Sequence, residues 1–247
     1  MITAVILAKN EEKNLKELIP TLSFCDEILV VDNDSTDKTS EVAKKLGAHV
    51  LHDSSASFSV LRRIAQKAAK NQWILHIDAD ERVSARLKNE ILEGVQHEKH
   101  SAYAIPRVDV FWGKEVRYGE VLEARLKGIV RLVKKDSGTW KGKVHEIYIT
   151  EEPIGKLSSP LLHYSHSGIA DFLHSVNDFS TKRAQELYKQ DARVWGMHVI
   201  FPPFMKFIYT FFILGGFLDG ARGFVYSFMM SFHAFLVRSK VYLLYNK

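Results

Sequence analysis

The chain has 247 residues, 46% of them hydrophobic and 26% charged, with a formal net charge of +5. That length fits one domain with an appendage or two small domains, and the composition excludes a disordered or fibrous chain. The basic balance favours anionic partners such as nucleotides or phospholipid headgroups, and a single cysteine, Cys25, rules out an internal disulfide.

The first elements alternate. Ile2–Leu7 reads as a buried strand, and a helix near Leu15–Leu22 follows a polar turn. Glu27–Val31 is a second strand ending at Asp32, and Ser35-Thr36-Asp37 is expected to open a helix reaching Leu46. His49–His52 is a third strand, Val60–Lys70 a helix, Trp73–Ile77 a fourth strand ending at Asp78, and Ala85–Gln96 a helix. This β-α-β-α order with continuous apolar strands predicts an α/β fold, a Rossmann-like and mostly parallel sheet with helices on both faces. Ligands bind such sheets beyond the carboxyl ends of the strands, where both Asp32 and Asp78 fall.

From Tyr103 to Tyr164 the pattern shortens, with strands expected at Ala102–Pro106, Gly128–Val133, His145–Ile149 and Leu161–Tyr164, then a polar helix over Ala170–Gln190. Beyond Trp195 the stretches His198–Leu218 and Gly223–Val237 are rich in aromatic and aliphatic residues. Pro202-Pro203, Lys206 and Gly215-Gly216 interrupt the first, and the second is short for a bilayer crossing. Lys182, Arg183, Lys189, Arg193, Lys206, Arg222, Arg238 and Lys240 lie close by, a mixture suited to helices in the headgroup region. We therefore expect residues 1–168 to form the catalytic domain and residues 169–247 a helical, membrane-associating region. The short apolar start runs into Lys9-Asn10-Glu11-Glu12 and does not read as a secretion signal, so the catalytic part is expected on the cytoplasmic side.

Two acidic motifs carry chemistry. In Asp78-Ala79-Asp80-Glu81 two carboxylates one residue apart follow a buried strand, a pattern that binds Mg²⁺ or Mn²⁺ with phosphates and water completing the shell and that also caps helices. In Asp32-Asn33-Asp34-Ser35-Thr36-Asp37 the leading aspartate suits a base or ribose contact. The same segment fits a phosphatase-type motif with Asp32 as nucleophile, but lacks the glycine and terminal glutamate of a calcium loop. No glycine-rich dinucleotide fingerprint follows the first strand. Three readings stay open: a nucleotide-sugar enzyme, a Mg-dependent phosphohydrolase, and a non-catalytic membrane-docking scaffold whose acidic motifs are helix caps.

Ala8-Lys9-Asn10-Glu11-Glu12, Val31-Asp32 with Ser35-Thr36-Asp37-Lys38-Thr39, Arg62 with Ala65, and Asp78-Ala79-Asp80-Glu81-Arg82 occur in one order. Later come Ile105-Pro106-Arg107, Arg131-Leu132, Val144-His145-Glu146, His163-Tyr164-Ser165 and Phe217-Leu218-Asp219-Gly220. Together they resemble family 2 inverting glycosyltransferases of the GT-A fold, of the lipopolysaccharide inner-core hexosyltransferase type. The resemblance implies transfer of a hexose, glucose above all, from a UDP-sugar to a lipid-linked glycan with the aid of Mg²⁺ or Mn²⁺, at the cytoplasmic face of the inner membrane and without nucleic acid. It implies that Ala8, Asn10, Glu11, Asp32, Arg62 and Asp78 bind the donor and that Asp80 is the principal metal ligand, with Asp78 and His163 as further candidates. Glu146 is the implied catalytic base. The chain departs from the family pattern at Arg63, where relatives often carry asparagine, and at Glu123-Ala124-Arg125, where an aromatic-rich stretch is usual.

Overall fold

The structure is a computed structural model describing residues 1–55, 57–142, 146–166 and 168–246. In chain order it contains β1 (Ile2–Ala8), α1 (Glu12–Thr21), β2 (Glu27–Asp32), α2 (Thr39–Lys45), β3 (His49–His52), α3 (Phe58–Ala68), β4 (Trp73–Asp78), β5 (Glu81–Arg82) and α4 (Ala85–His97). There follow β6 (Ala102–Ile105), β7 (Arg107–Phe111), β8 (Lys114–Val116), α5 (Leu122–Lys127), β9 (Ile129–Lys134), β10 (Thr139–Lys141), β11 (Ile147–Ile149), β12 (Ile154–Lys156) and β13 (Leu161–His163). Three helices close the chain: α6 (Ile169–Lys189), α7 (Gly196–Ile208) and α8 (Gly220–Tyr245).

The chain forms two compact units, Met1–Arg107 with Ala124–His163, and Val108–Glu123 with Tyr164–Lys247. The first holds a seven-stranded sheet in the order β12-β6-β9-β4-β1-β2-β3. β3, β2, β1 and β4 run parallel, β9 is antiparallel to its neighbours β4 and β6, and β12 pairs parallel with β6. Alternation along β1 explains the layering, because successive side chains of a strand point to opposite faces. Ile2, Ala4, Ile6 and Ala8 pack with Leu15, Leu18 and Leu22 of the α1 region and Leu87 and Ile91 of α4. Val5 and Leu7 pack with Leu61 and Ala65 of α3 and with Trp140 and Tyr148 of the β10–β11 ribbon. Helices therefore cover both faces of the sheet. Because β1, β2 and β4 are parallel, with Ala8 opposite Asp32 and Leu7 opposite Asp78, their carboxyl ends deliver the two aspartates to one edge.

Several expected elements hold within a residue or two, and others differ for physical reasons. The helix after β2 starts at Thr39, not at Ser35, because the Ser35–Asp37 groups are bonded across to the β1 loop. Neither Asp78 nor Asp80 caps α4; the Ser84 hydroxyl accepts the Leu87 N–H at 3.2 Å instead. Of the expected strand His145–Ile149, β11 covers Ile147–Ile149, and His145 lies outside the described residues. The two-residue β5, the β7–β8 hairpin, β10 and β12 were not expected. The hairpin loop Trp112-Gly113 has φ of 50° and 70° at its two positions, the left-handed pair that a tight strand reversal requires.

In the second unit Phe111, Val116, Val121, Phe172, Val176, Tyr226 and Met229 form the core. Pro202 and Pro203 do not break the chain as expected but lie inside α7, where the Pro203 carbonyl accepts the Ser231 hydroxyl of α8. A π-helical turn at Tyr209–Ile213 leads to Gly215 and Gly216. A Cβ on Gly223 would lie 1.8 Å from the Gly216 carbonyl oxygen, so the close approach of that turn to α8 requires glycine.

Candidate functional site

The expected donor-binding, metal and catalytic residues, Ala8, Asn10, Glu11, Asp32, Arg62, Asp78, Asp80, Glu146 and His163, all lie in the first unit. Asn10, with φ of 59°, joins two strand-end loops: its N–H donates to Ser35 Oγ at 2.9 Å, and its Oδ1 accepts the Thr36 N–H at 2.7 Å. The Glu11 N–H donates to Thr39 Oγ1 at 2.8 Å, and the Glu11 carboxylate accepts Asn14 Nδ2 at 2.7 Å. Burial raises the Glu11 pKa against that hydrogen bond, and the charges of Asp80 and Asp37 add to the rise. Glu11 and Asp80 therefore act on each other through space. Ala8 ends β1 with its side chain in the core, so only its backbone faces the loop, where its carbonyl accepts the Asn33 N–H at 2.9 Å.

Asp32 is 4% exposed. Its Oδ1 accepts the Ser35 N–H at 3.0 Å, its Oδ2 accepts the Ser40 hydroxyl, and His52 Nδ1 lies 3.6 Å away. Burial pushes its carboxyl upward, but these bonds outweigh it and leave the pKa below the ordinary value. Asp32 is thus an ionised organiser of its own loop.

The centre of the site is a chain of charges. Arg62, on α3 and 1% exposed, donates from Nη2 to Asp78 Oδ1 at 2.7 Å and from Nε to Glu146 Oε1 at 2.8 Å. Its guanidinium lies over the Trp140 ring, 5.0 Å from the centroid. Trp140 Nε1 in turn donates to His76 Nε2 at 3.2 Å. Burial, then Arg62 and Arg131, lower the His76 pKa well below its usual value, so His76 is neutral. Arg131 Nη2 bonds Asp78 Oδ2 and lies 3.1 Å from Glu81 Oε1. Burial would raise the Asp78 pKa, but Arg131 and Arg62 together hold it well below the carboxylate range. Glu81 is fully buried and behaves oppositely: burial, helped by Asp78, raises its pKa despite Arg131.

Asp80 occupies the turn between β4 and β5, and β5 pairs with β13 so that His163 lies opposite Glu81. This register brings His163 Nε2 within 3.2 Å of Asp80 Oδ2. Among the described residues no group of three or more His, Cys, Asp or Glu side chains is arranged to hold a metal. Asp80 and His163 supply one oxygen and one nitrogen donor, while both Asp78 oxygens are bonded to guanidinium groups. A pair of this kind fits Mg²⁺ or Mn²⁺ only where phosphates and water complete the shell.

The structure thus gathers Asn10, Glu11, Asp32, Arg62, Asp78, Asp80, Glu146 and His163 around the carboxyl edge of the sheet. It adds Arg131, Glu81 and Trp140, which the sequence reading quoted only within motifs or passed over. One signal could have found Arg131: it is the lone charge inside the apolar run Ile129-Val130-Arg131-Leu132-Val133.

The model of the family described as Glycosyl transferase family 2 matches residues 3–144. The chain is 30% identical to an uncharacterised glycosyltransferase of Rickettsia typhi, covering 97% of this chain and 86% of that protein. It is 26% identical to the lipopolysaccharide core biosynthesis glycosyltransferase LpsC of Rhizobium meliloti, covering 98% and 92% respectively. The crystal structure of S. aureus TarS residues 1–349 in complex with UDP-GlcNAc superposes with a TM-score of 0.51 at 14% identity, over 99% of this chain and 91% of that one, a likeness of fold alone. The fold is therefore GT-A, and the phosphohydrolase and scaffold readings of the acidic motifs give way. The parallel strands that carry Asp32 and Asp78 to one edge fall within the matched region, and the chain belongs to glycosyl transferase family 2, as a glycosyltransferase.

Proposed function

We propose that the chain is a metal-dependent, inverting hexosyltransferase that moves a sugar, glucose above all, from a UDP-sugar to a lipid-linked glycan such as the lipopolysaccharide inner core. The observation that carries the reading is the convergence of the β1, β2 and β4 loops with the Arg62–Glu146 ion pair at one sheet edge. Likeness to a lipopolysaccharide core glycosyltransferase supports the acceptor class, and a fold neighbour holding UDP-GlcNAc supports the donor class.

In this reading the loops joined by Asn10 form the nucleoside pocket, with Ala8, Asn10, Glu11 and Asp32 as its wall. Arg62 and Asp78 flank the diphosphate and ribose. Asp80 and His163 are the protein ligands of the cation, and Asp78, committed to two guanidinium groups, orients them rather than binding metal. A divalent cation there would supply positive charge to the departing diphosphate. Glu146 accepts the proton of the acceptor hydroxyl. The hydroxyl oxygen bonds to the anomeric carbon as the carbon–phosphate-oxygen bond breaks and its electron pair leaves with the nucleoside diphosphate. One displacement inverts the configuration.

Residues 1–168 would be the catalytic part and residues 169–247 the part that meets lipid, at the cytoplasmic face of the membrane. Gly196–Ile213 is long and apolar enough to be a candidate span and only 11% of it is buried. At 1.5 Å per residue its 18 residues extend about 27 Å, short of the ~30 Å hydrocarbon core. Met197, Ile200, Phe201 and Phe204 are all exposed at the i, i+3, i+4, i+7 spacing of one helix face. The exposed apolar face and the short span support an interfacial placement. The cations contribute less than their number suggests. Lys206 pairs with Glu120 at 2.8 Å, and Lys240 donates to Asn177, Ser180 and Thr181, leaving the exposed Lys182 and Lys189 better placed for anionic lipid.

The test is a titration of UDP-, GDP- and dTDP-sugars with and without Mn²⁺ or Mg²⁺, followed by transfer to a lipid-linked acceptor. UDP-sugar binding should need the cation and fall at least about tenfold in Asp80→Ala, ~1.4 kcal/mol. Cation-independent binding that ignores Asp80 would refute the metal assignment.

A further inference from the structure

Arg62 has three nitrogens with three different fates. Nε serves Glu146 at 2.8 Å, Nη2 serves Asp78 at 2.7 Å, and Nη1, buried, has no hydrogen-bond partner among the described residues. A buried N–H without an acceptor costs about 1–3 kcal/mol, so the position is favourable for an incoming oxygen anion. The guanidinium is held in plane by Trp140, whose own N–H is anchored on the neutral His76, and it cannot follow a ligand by swinging as a lysine would. Asp78 divides its own charge between Arg62 and Arg131.

We propose that Arg62 couples the two ends of the displacement, partitioning its charge between Glu146 and the diphosphate of the donor. The proposal rests on the reading of Glu146 as the base. Before reaction the guanidinium is divided between the Glu146 carboxylate and the diphosphate. As Glu146 takes up the acceptor proton its negative charge disappears, while the departing nucleoside diphosphate gains the electron pair of the broken bond. The share of the Arg62 charge that Glu146 had balanced then acts on the leaving group, without the side chain moving. Proton removal at one side of the anomeric carbon and charge stabilisation at the other become one event, an electrostatic arrangement that operates in the transition state more than in the ground state.

The proposal makes a prediction about binding that does not depend on turnover. Neutralising Glu146 should release Arg62 to the diphosphate. Titrating pyrophosphate and UDP, each with saturating Mg²⁺, into Glu146→Gln should give dissociation constants about tenfold lower than in the unmodified chain, the scale of one charge-assisted hydrogen bond. In the Arg62→Lys background the same Glu146→Gln change should shift them less than about twofold, because the double-mutant cycle removes the shared donor. Glu41→Gln, which removes an exposed charge of the same unit paired with Lys45 and away from Arg62, should not reproduce the tightening; this arm stands even if the Arg62→Lys chain fails to fold. Unchanged affinity in Glu146→Gln, no measurable binding to any variant, or an equal gain in Arg62→Lys or Glu41→Gln overturns the proposal. Sugar transfer by Glu146→Gln is scored separately. Retained transfer refutes Glu146 as base, whereas lost transfer with a flat binding cycle refutes the coupling alone.

Discussion

Replacing Arg131 by methionine removes, among the described residues, the one guanidinium that reaches Glu81 and one of two that reach Asp78. Asp78 keeps Arg62, so the damage falls on Glu81, which is 0% exposed and among the described residues keeps only the hydrogen bond from the Asp78 N–H at 2.9 Å. Stranding one member of a buried ion pair costs about 3–5 kcal/mol, a large share of the roughly 5–15 kcal/mol that folds a domain. Adding Glu81→Gln removes the stranded charge while its amide oxygen keeps the Asp78 N–H, and should return most of the loss. The sign of the pH dependence follows from the raised Glu81 pKa. A carboxyl whose folded pKa lies above its unfolded value destabilises the fold above that folded pKa, and the penalty fades as pH falls toward the unfolded value of 4.5. Urea unfolding should therefore show a smaller Arg131→Met deficit near pH 5 than near pH 7.5. A deficit below about 1 kcal/mol, unaffected by pH and by Glu81→Gln, would refute the view that Arg131 chiefly neutralises Glu81.

Asp78 has the opposite sign: its depressed pKa gives stability that is complete above the unfolded value of 3.8 and is lost as pH falls further, so Asp78→Asn should flatten the acid limb of the unfolding profile. Asn10→Ala removes the acceptor for the Thr36 N–H and puts a less tolerant residue at φ 59°, and should cost about 1–2 kcal/mol in melting experiments and weaken nucleotide binding. Burial, with Asp26 adding, pushes the Cys25 thiol up to about 12, so a chromogenic disulfide should leave it unmodified at neutral pH until the chain is unfolded. Phe201→Glu with Phe204→Glu should reduce binding to anionic vesicles by about tenfold or more without changing UDP affinity, measured by co-sedimentation and calorimetry.

The parallel half of the sheet was legible because its strands are buried on both faces and read as unbroken apolar runs, as in Ile2–Leu7 and Trp73–Ile77. The edge that carries Asp32 and Asp78 followed from strand direction alone. The connections between distant loops were not legible. Ser35 and Thr36 have the composition of a helix start, and only the fold shows them bonded to Asn10, 25 and 26 residues away. The Asp80–His163 contact depends on β5, whose two residues carry no periodicity to recognise. The C-terminal region was legible as helical, but the interruption expected at Pro202-Pro203 was not found: the pair argues locally for a break, while α7 continues through both prolines packed on α8.

These misses share a cause that bears on the chemistry. A strand-end carboxylate read by itself is a ligand, a cap or a nucleophile, and local sequence does not choose among them. The choice is made by the cations that three-dimensional structure places beside it. With Arg62 and Arg131 on its two oxygens, Asp78 is held by internal ion pairs, whereas the neighbouring Asp80 has its Oδ2 3.2 Å from His163 Nε2. Two aspartates that share one short motif thus sit in different electrostatic surroundings, and the difference is set at positions 62, 131 and 163, none of which lies within the motif.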